Sequence, residues 1–214
     1  MGSVFLLKLR RGLTNRYLWL AWLVTLAVGL VLIFKRFDGT PYPFLSAICG
    51  WILTPLPMAA LLMGWFREEL SGRHALEALT MGCPRTLLGL TYLASCSGAV
   101  LCSTAVLVTV LAVAGRVPAD MAVRTILWEA LLLCCVSFGC MVLMLLLRNS
   151  MATFVPPALT VLIWDKLEVW VAGSTLYRGL WTGERLIRLM WPVATAALGF
   201  AALFLLLFRR VEWK

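Results

Sequence analysis

Long apolar segments with few charges are the feature that most constrains this chain. Only 14% of its residues are charged, against about 25% in a typical soluble domain. Because lipid offers the backbone no hydrogen-bond partners, the predicted fold class is an all-α polytopic membrane protein, with one transmembrane domain over residues 1–214. An α-helix needs roughly 20 apolar residues to cross a bilayer. Six segments meet that length: Arg16–Phe34, Phe44–Phe66, Leu87–Ala114, Ala122–Leu147, Met151–Ala172 and Met190–Phe208.

The basic residues lie mostly at the ends of these apolar segments. Eleven of the nineteen Lys and Arg residues flank the side that holds the N-terminus, seven flank the other side, and Lys166 falls within a segment. Cytoplasmic loops carry such an excess of positive charge. We therefore expect a multi-pass protein of the plasma (inner) membrane with both termini cytoplasmic. The net charge of +9 comes without a basic stripe and interleaved aromatics, so we expect the lipid bilayer, and not nucleic acid, as its partner.

The N-terminal residues 3–15 form a short amphipathic segment. Phe5, Leu9 and Leu13 share one helical face, while Lys8 falls on another. This pattern predicts an interfacial helix on the cytoplasmic leaflet. An ordinary basic region preceding the first span is the alternative.

Cysteine and histidine usage gives no sign of a metal site. The seven cysteines form no CxxC pair, and the chain has one histidine. In a helical membrane interior cysteine serves as a small hydrophobe. We therefore predict neither a metal nor another cofactor in this chain.

The connection over residues 67–86 differs from the rest because it is charged and amphipathic. Glu68, Glu69 and Arg73 spell E-E-x-x-x-R, which resembles the first motif of CAAX-type intramembrane proteases. That hydrolysis needs further histidines on other membrane helices, but His74 lies in the same loop and is the only histidine. There is also no G-x-S-G for a serine nucleophile. The sequence therefore predicts a protein that is not an enzyme.

Helix-breaking residues shape this loop. Gly72 costs roughly 1 kcal/mol in a helix interior, and Pro84 disfavours helical geometry at the residue before it. We expect a short cytoplasmic helix or a pair of helices, broken near Gly72 and ended before Pro84.

The residue order of the loop resembles that of type-2 ABC exporter permeases, in which it is similar to E-x-x-x-G-T-L-E-x-L-L-x-x-P-x-S-R. The chain departs from the family at Arg73–His74 and at Thr91, where a lysine is common. The residues that carry the resemblance are Glu68, Glu69, Gly72, Leu76, Glu77, Leu79, Pro84 and Arg85, and Arg73 belongs with them to the predicted ATPase-coupling loop.

The resemblance implies that this loop is a coupling helix that docks on a separate cytoplasmic ABC ATPase, and that a second permease copy or a paralogue completes a dimer. ATP and Mg would then belong to the ATPase, because the chain has no G-x-x-x-x-G-K-[ST] motif. A solvated loop is the alternative for this segment. A non-transporting scaffold or sensor is the alternative for the whole protein.

Candidate residues for a translocation path come from two predicted spans. Pro55 and Pro57 would kink the second span. In the family, the fifth span and its external connection help to form the substrate path, which implies a role for Trp164, Asp165 and Glu168. Equally, these acidic residues could sit at the outer headgroups beside interfacial tryptophans.

Two features of the third and fourth spans are predicted to be structural. Glu129 is expected to pair with Arg124 or Arg116 near the outer surface. Small residues in the third span allow close helix packing. They are Ala94, Ser95, Gly98, Ala99, Cys102 and Ser103.

Overall fold

Three long helices make up most of the described chain. The computed structural model describes residues 84–114, 116–147 and 186–210, together with Leu6, Arg10, Thr14, Trp19, Leu23, Leu26, Ala27, Leu30, Val31, Val155 and Gly183. The helices are α1 (Arg85–Ala114), α2 (Ala119–Leu147) and α3 (Leu186–Arg210), and no strand occurs among the described residues. They coincide with three of the predicted spans. Relative to the prediction, α1 begins two residues earlier, α2 begins three residues earlier, and α3 begins four residues earlier and ends two residues later.

All three helices are long and apolar enough to cross a membrane. They contain 30, 29 and 25 residues, or about 45, 44 and 38 Å at 1.5 Å per residue. The hydrocarbon core that they would cross is about 30 Å thick. By the length and composition of its helices, the described chain is that of a multi-pass membrane protein.

A tight turn joins α1 to α2. Arg116 N–H donates to the carbonyl of Val113 at 3.2 Å, and Val117 N–H donates to the carbonyl of Ala112 at 2.9 Å. This pair of bonds is the Schellman arrangement that ends many helices, and Arg116 takes the left-handed position with a φ of 51°. Pro118 then starts α2 by accepting a bond from the Ala122 N–H at 3.1 Å. The two helices consequently run antiparallel.

The buried stripe of α1 recurs every four residues. Its members are Leu88, Tyr92, Cys96, Val100, Thr104, Val108 and Ala112, none more than 5% exposed. Because a helical turn holds 3.6 residues, a four-residue repeat winds around the helix. The stripe therefore faces different partners along its length. Near its start Tyr92 contacts Phe208 of α3, and farther on Cys96 lies beside Ser137 of α2.

Hydroxyl side chains in α1 and α2 bond to their own helix. Thr91 donates to the Leu87 carbonyl at 2.8 Å, and Ser95 donates to the Thr91 carbonyl at 2.7 Å. Thr125 of α2 does the same toward Met121 at 2.8 Å. Such bonds to the carbonyl one turn earlier let polar side chains lie inside an apolar helix. Thr91, the position at which the family often has lysine, thus has a local structural role.

Small residues let α3 approach the other two helices. Gly139 of α2 lies opposite Phe200, and Gly89 of α1 lies against Leu205 and Phe208. The prediction of close packing along α1 is correct for Ser95 and Ala99, which are 1% and 2% exposed.

The other small residues of that set lie elsewhere on α1. Ala94 and Cys102 are exposed, and Gly98 and Ser103 are partly buried. They point away from the buried stripe because a set spanning ten consecutive helical residues covers every side of the helix.

A few isolated residues are also described in two further predicted spans and in the N-terminal segment. Leu26 and Leu30 are helical, lie four residues apart and pack against the core. Val155 of the predicted fifth span is also helical. In the N-terminal segment Leu6 and Arg10 are helical, and the Thr14 hydroxyl donates to the Arg10 carbonyl at 2.9 Å. The predicted Phe44–Phe66 span lies outside the described residues.

Replacing Gly89 by valine is expected to destabilise the bundle. A Cβ at this position would lie 2.9 Å from Leu205 Cδ2 and 3.3 Å from Phe208 Cδ1, and overpacking of this kind costs about 1–3 kcal/mol. Gly199→Val is the matched control, because a Cβ there meets nothing within 4 Å. Thermal unfolding in detergent should show a lower midpoint for Gly89→Val than for Gly199→Val. Equal midpoints would contradict the tight contact.

Candidate functional site

The charged loop joins α1 at Pro84 and Arg85. The Pro84 carbonyl accepts the first helical hydrogen bond, from the Leu88 N–H at 3.0 Å. Pro84 is not helical and Arg85 is the first helical residue. Since a proline disfavours helical geometry in the residue before it, α1 begins here and does not continue backward into the loop. The structure thus starts α1 at Arg85, directly after Pro84, and the predicted loop helix that ends before Pro84 lies outside the described residues.

Arg85 connects the start of α1 to the end of α3. Its Nη1 donates a hydrogen bond to the carbonyl of Arg209 at 3.1 Å. The last four carbonyls of a helix have no partner within that helix, and a cation near them also interacts favourably with the helix dipole. The guanidinium of Arg85 therefore caps α3 from a different helix.

Aromatic packing reinforces this junction within the first two turns of α1. The rings of Tyr92 and Phe208 meet edge to face with centroids 5.8 Å apart, and Phe204 and Phe208 lie 5.4 Å apart. All three side chains are fully buried. Together with the close approach at Gly89, these contacts hold the first two turns of α1 against the last two turns of α3. We call this region, where α1 begins and α2 and α3 end, the Arg85 end of the bundle.

The opposite end, where α2 and α3 begin, has a different set of charges, and we call it the Arg116 end. Asp120 in the first turn of α2 forms an ion pair with Arg124, one turn later. A carboxylate at a helix N-terminus is favourable by itself. The Arg124 guanidinium also lies against Gly183, whose φ is 77°. The structure thus pairs Arg124 with Asp120, and the predicted pairing of Glu129 with Arg124 or Arg116 stays a prediction.

Glu129 lies deeper in the bundle than sequence reasoning placed it. It is the eleventh residue of α2, about 15 Å along the helix from Ala119, and only 2% of it is exposed. Ionisable residues inside membrane spans are costly and face the interior of a bundle. In the sequence, Glu129 stands out as a carboxyl group within a long apolar segment. That segment is apolar on all sides, however, so it does not show which side of the helix is buried.

Most of the predicted site residues lie outside the described residues. From the coupling loop these are Glu68, Glu69, Gly72, Arg73, Leu76, Glu77 and Leu79. From the candidate path they are Pro55, Pro57, Trp164, Asp165 and Glu168. Only Pro84 and Arg85 are placed. The structure brings Arg85 together with Arg209, which sequence reasoning had not linked to the loop.

Potential metal ligands are dispersed in the part of the chain that the structure describes. No group of three or more His, Cys, Asp or Glu side chains there could hold an ion. The described cysteines are free thiols, and Cys134 lies beside Ser97 across the contact of α1 with α2.

No protein-family profile matches the chain, and no curated protein or solved structure matches it significantly. The similarity to type-2 ABC exporter permeases therefore rests on the loop motif and the pattern of apolar segments.

Removing the Arg85 guanidinium is expected to loosen the end of α3. In Arg85→Gln the Arg209 carbonyl loses its partner from α1, so the last turn of α3 should exchange its amide hydrogens faster. Hydrogen exchange monitored by mass spectrometry would measure this over residues 205–210. Arg116→Gln removes an exposed arginine at the other end of the bundle and should leave that exchange unchanged. Unchanged exchange in Arg85→Gln would show that the bond does not hold α3.

Proposed function

We propose that this protein is the transmembrane subunit of an ATP-driven ABC exporter, with the loop 67–86 as the contact for a separate cytoplasmic ATPase. The observation that carries the proposal is the anchoring of the loop's last residues. Pro84 and Arg85 open a membrane-length helix, and Arg85 bonds to the end of another. A loop joined in this way to two helices is suited to moving both of them together.

The contacts below Arg85 support this transmission. A displacement of the loop reaches α1 directly because no flexible linker separates Pro84 from the helix. It reaches α3 through the Arg85–Arg209 bond, the Tyr92–Phe208 rings and the close approach at Gly89. Since packed interiors respond to small shifts by rearranging and do not deform continuously, docking of a partner at the loop would move α1 and α3 as one unit.

The proposed architecture has six spans, an N-terminal interfacial helix and a coupling helix between the second and third spans. Both termini and the loop 67–86 face the cytoplasm of the plasma (inner) membrane, in line with the positive-inside bias. The Arg85 end is then the cytoplasmic end of the bundle. Two copies, or one copy and a paralogue, form the path. Pro55, Pro57, Trp164, Asp165 and Glu168 are its candidate lining.

In this proposal, ATP is bound and hydrolysed by the separate cytoplasmic ATPase. The chain contains no G-x-x-x-x-G-K-[ST] phosphate-binding motif, so ATP and Mg would be bound by the ATPase. The part of this chain is to bind that ATPase and to convert its motion into movement of the helices.

Charge reversal in the loop is expected to break ATPase docking. Glu68→Lys with Glu69→Lys places cations where the proposed interface has carboxylates, and like charges across an interface cost several kcal/mol. That is about a hundredfold or greater loss of affinity, with a matching loss of ATP-driven transport by the reconstituted complex. Pull-down of the ATPase that co-purifies with the unmodified chain, followed by measurement of its ATPase rate, measures the effect.

Asp120→Lys serves as the control for that experiment. It also reverses a carboxylate, but at the Arg116 end, away from the loop, and it should bind the ATPase like the unmodified chain. Wild-type binding and transport in the Glu68→Lys, Glu69→Lys variant would refute the coupling role.

The second candidate is a non-transporting membrane scaffold or sensor, in which the same loop is only solvated. Purification of the full chain in a mild detergent discriminates the two. The exporter hypothesis predicts a co-purifying Walker-motif ATPase in a fixed ratio to the permease. Its absence from repeated preparations would favour the scaffold.

A further inference from the structure

The contact between α1 and α2 is held at two levels. One is the turn that joins the end of α1 to the start of α2, and the other is the place where Cys96 lies beside Ser137. Cys96 is 18 residues before the last residue of α1, and Ser137 is 18 residues after the first residue of α2. Because antiparallel helices rise equally per residue, residues equally far from the turn lie at the same level. Thr104 and Glu129 are each 10 residues from these helix ends, so they share one level between the two contacts.

Thr104 and Glu129 also lie on the buried sides of their helices. The buried stripe of α1 reaches Thr104 one turn after Val100, and a matching step toward the turn leads from Leu133 to Glu129 on α2. Val100 and Leu133 are 0% exposed, Thr104 is 1% exposed and Glu129 is 2% exposed. A hydroxyl and a carboxyl thus lie at one level inside an apolar contact. That level is about 15 Å from the turn, or half of the roughly 30 Å hydrocarbon core.

The Thr104 hydroxyl is bonded differently from the other hydroxyls of α1. Thr91, Ser95, Ser97 and Ser103 each donate to a carbonyl of their own helix at 2.6–2.9 Å. Thr104 Oγ1 is buried and forms no hydrogen bond with any atom of the described chain. Buried polar groups of native proteins have a partner in nearly every case, and that partner is either protein or ordered water.

Water is the ligand that suits this level of the bundle. Polar groups that lie beyond direct hydrogen-bond distance are commonly bridged by a water, and a buried water needs two to four polar partners. The Thr104 hydroxyl can donate to a water oxygen, and that water can donate to a carboxyl oxygen of Glu129. A metal ion would need more ligands, and the described residues supply no group of three that could hold one.

We propose that Thr104 and Glu129 bind one water molecule between α1 and α2, halfway across the bundle. The water accepts a hydrogen bond from the Thr104 hydroxyl and donates one to the Glu129 carboxyl. Carboxyl groups at this depth mark routes for protons, ions and polar substrates, so the bound water makes this contact the polar step of the bundle. The proposal does not depend on the exporter function, because both residues lie outside the loop 67–86 and the tests use this chain alone.

Thermal unfolding of Thr104→Val gives opposite shifts with and without the bound water. Valine has the shape of threonine but no hydroxyl. If the hydroxyl holds a water against Glu129, its removal breaks a hydrogen bond and should lower the unfolding midpoint by about 2–4 °C in a chain of this size. If the hydroxyl has no ligand, valine removes an unsatisfied polar group. An unchanged or higher midpoint would therefore overturn the proposal.

Thr125→Val is the matched control. Thr125 is 0% exposed and lies one turn from Glu129, but its hydroxyl bonds to the Met121 carbonyl of its own helix at 2.8 Å. That carbonyl keeps its backbone bond in the variant, so the midpoint should stay unchanged. An equal decrease in both variants would reduce the effect to the loss of any buried hydroxyl and would contradict the bridge.

Infrared spectroscopy of the full chain in lipid bilayers detects the water itself. The O–H stretching band of a bound water shifts in water labelled with oxygen-18, whereas the band of a threonine hydroxyl does not. The difference spectrum between the unmodified chain and Thr104→Val should contain such a shifting band, and the difference spectrum with Thr125→Val should not. Glu129→Leu should remove the same band, and Thr104→Val suffices if Glu129→Leu does not insert. A difference spectrum for Thr104→Val without a shifting band would show that Thr104 holds no water.

Discussion

The rest of this structure depends on one constraint: the backbone N–H and C=O groups inside a membrane must form their hydrogen bonds without water. A membrane interior offers the backbone no partner, so each segment must satisfy its own donors and acceptors. Three helices of 25–30 residues do this, and their hydroxyl groups follow the same rule by bonding to carbonyls one turn earlier, as Ser95 and Thr125 do. Helix ends, where intrahelical partners run out, are then the places where side chains must act.

The backbone groups left without an intrahelical partner are bonded in different ways at the two ends of the bundle. At the turn between α1 and α2, the backbone closes on itself through Val117 and Ala112. At the Arg85 end, a side chain from α1 supplies a donor to α3. The first solution is local and joins neighbours in the chain. The second joins residues 124 positions apart and so ties the start of α1 to the end of a distant helix.

Apolar length was enough to predict α1, α2 and α3, because a helix that must satisfy its backbone in lipid has few alternatives once it is long enough. Pro84 was likewise predictable as a boundary from its own ring geometry. The burial of Glu129 was not, and neither was the face of α1 that is buried. Both α1 and α2 are apolar on all sides, so periodicity has no contrast from which to read the direction of packing.

The sequence by itself determined that this chain forms long apolar helices, the ends of three of them to within four residues, and that a charged loop precedes α1. These follow from composition and from the local chemistry of proline, glycine and the peptide group. Only the tertiary structure decided that Arg85 reaches Arg209 and that Gly89 admits Leu205 and Phe208. Such pairings depend on how helices far apart in sequence align, and no local pattern encodes that alignment.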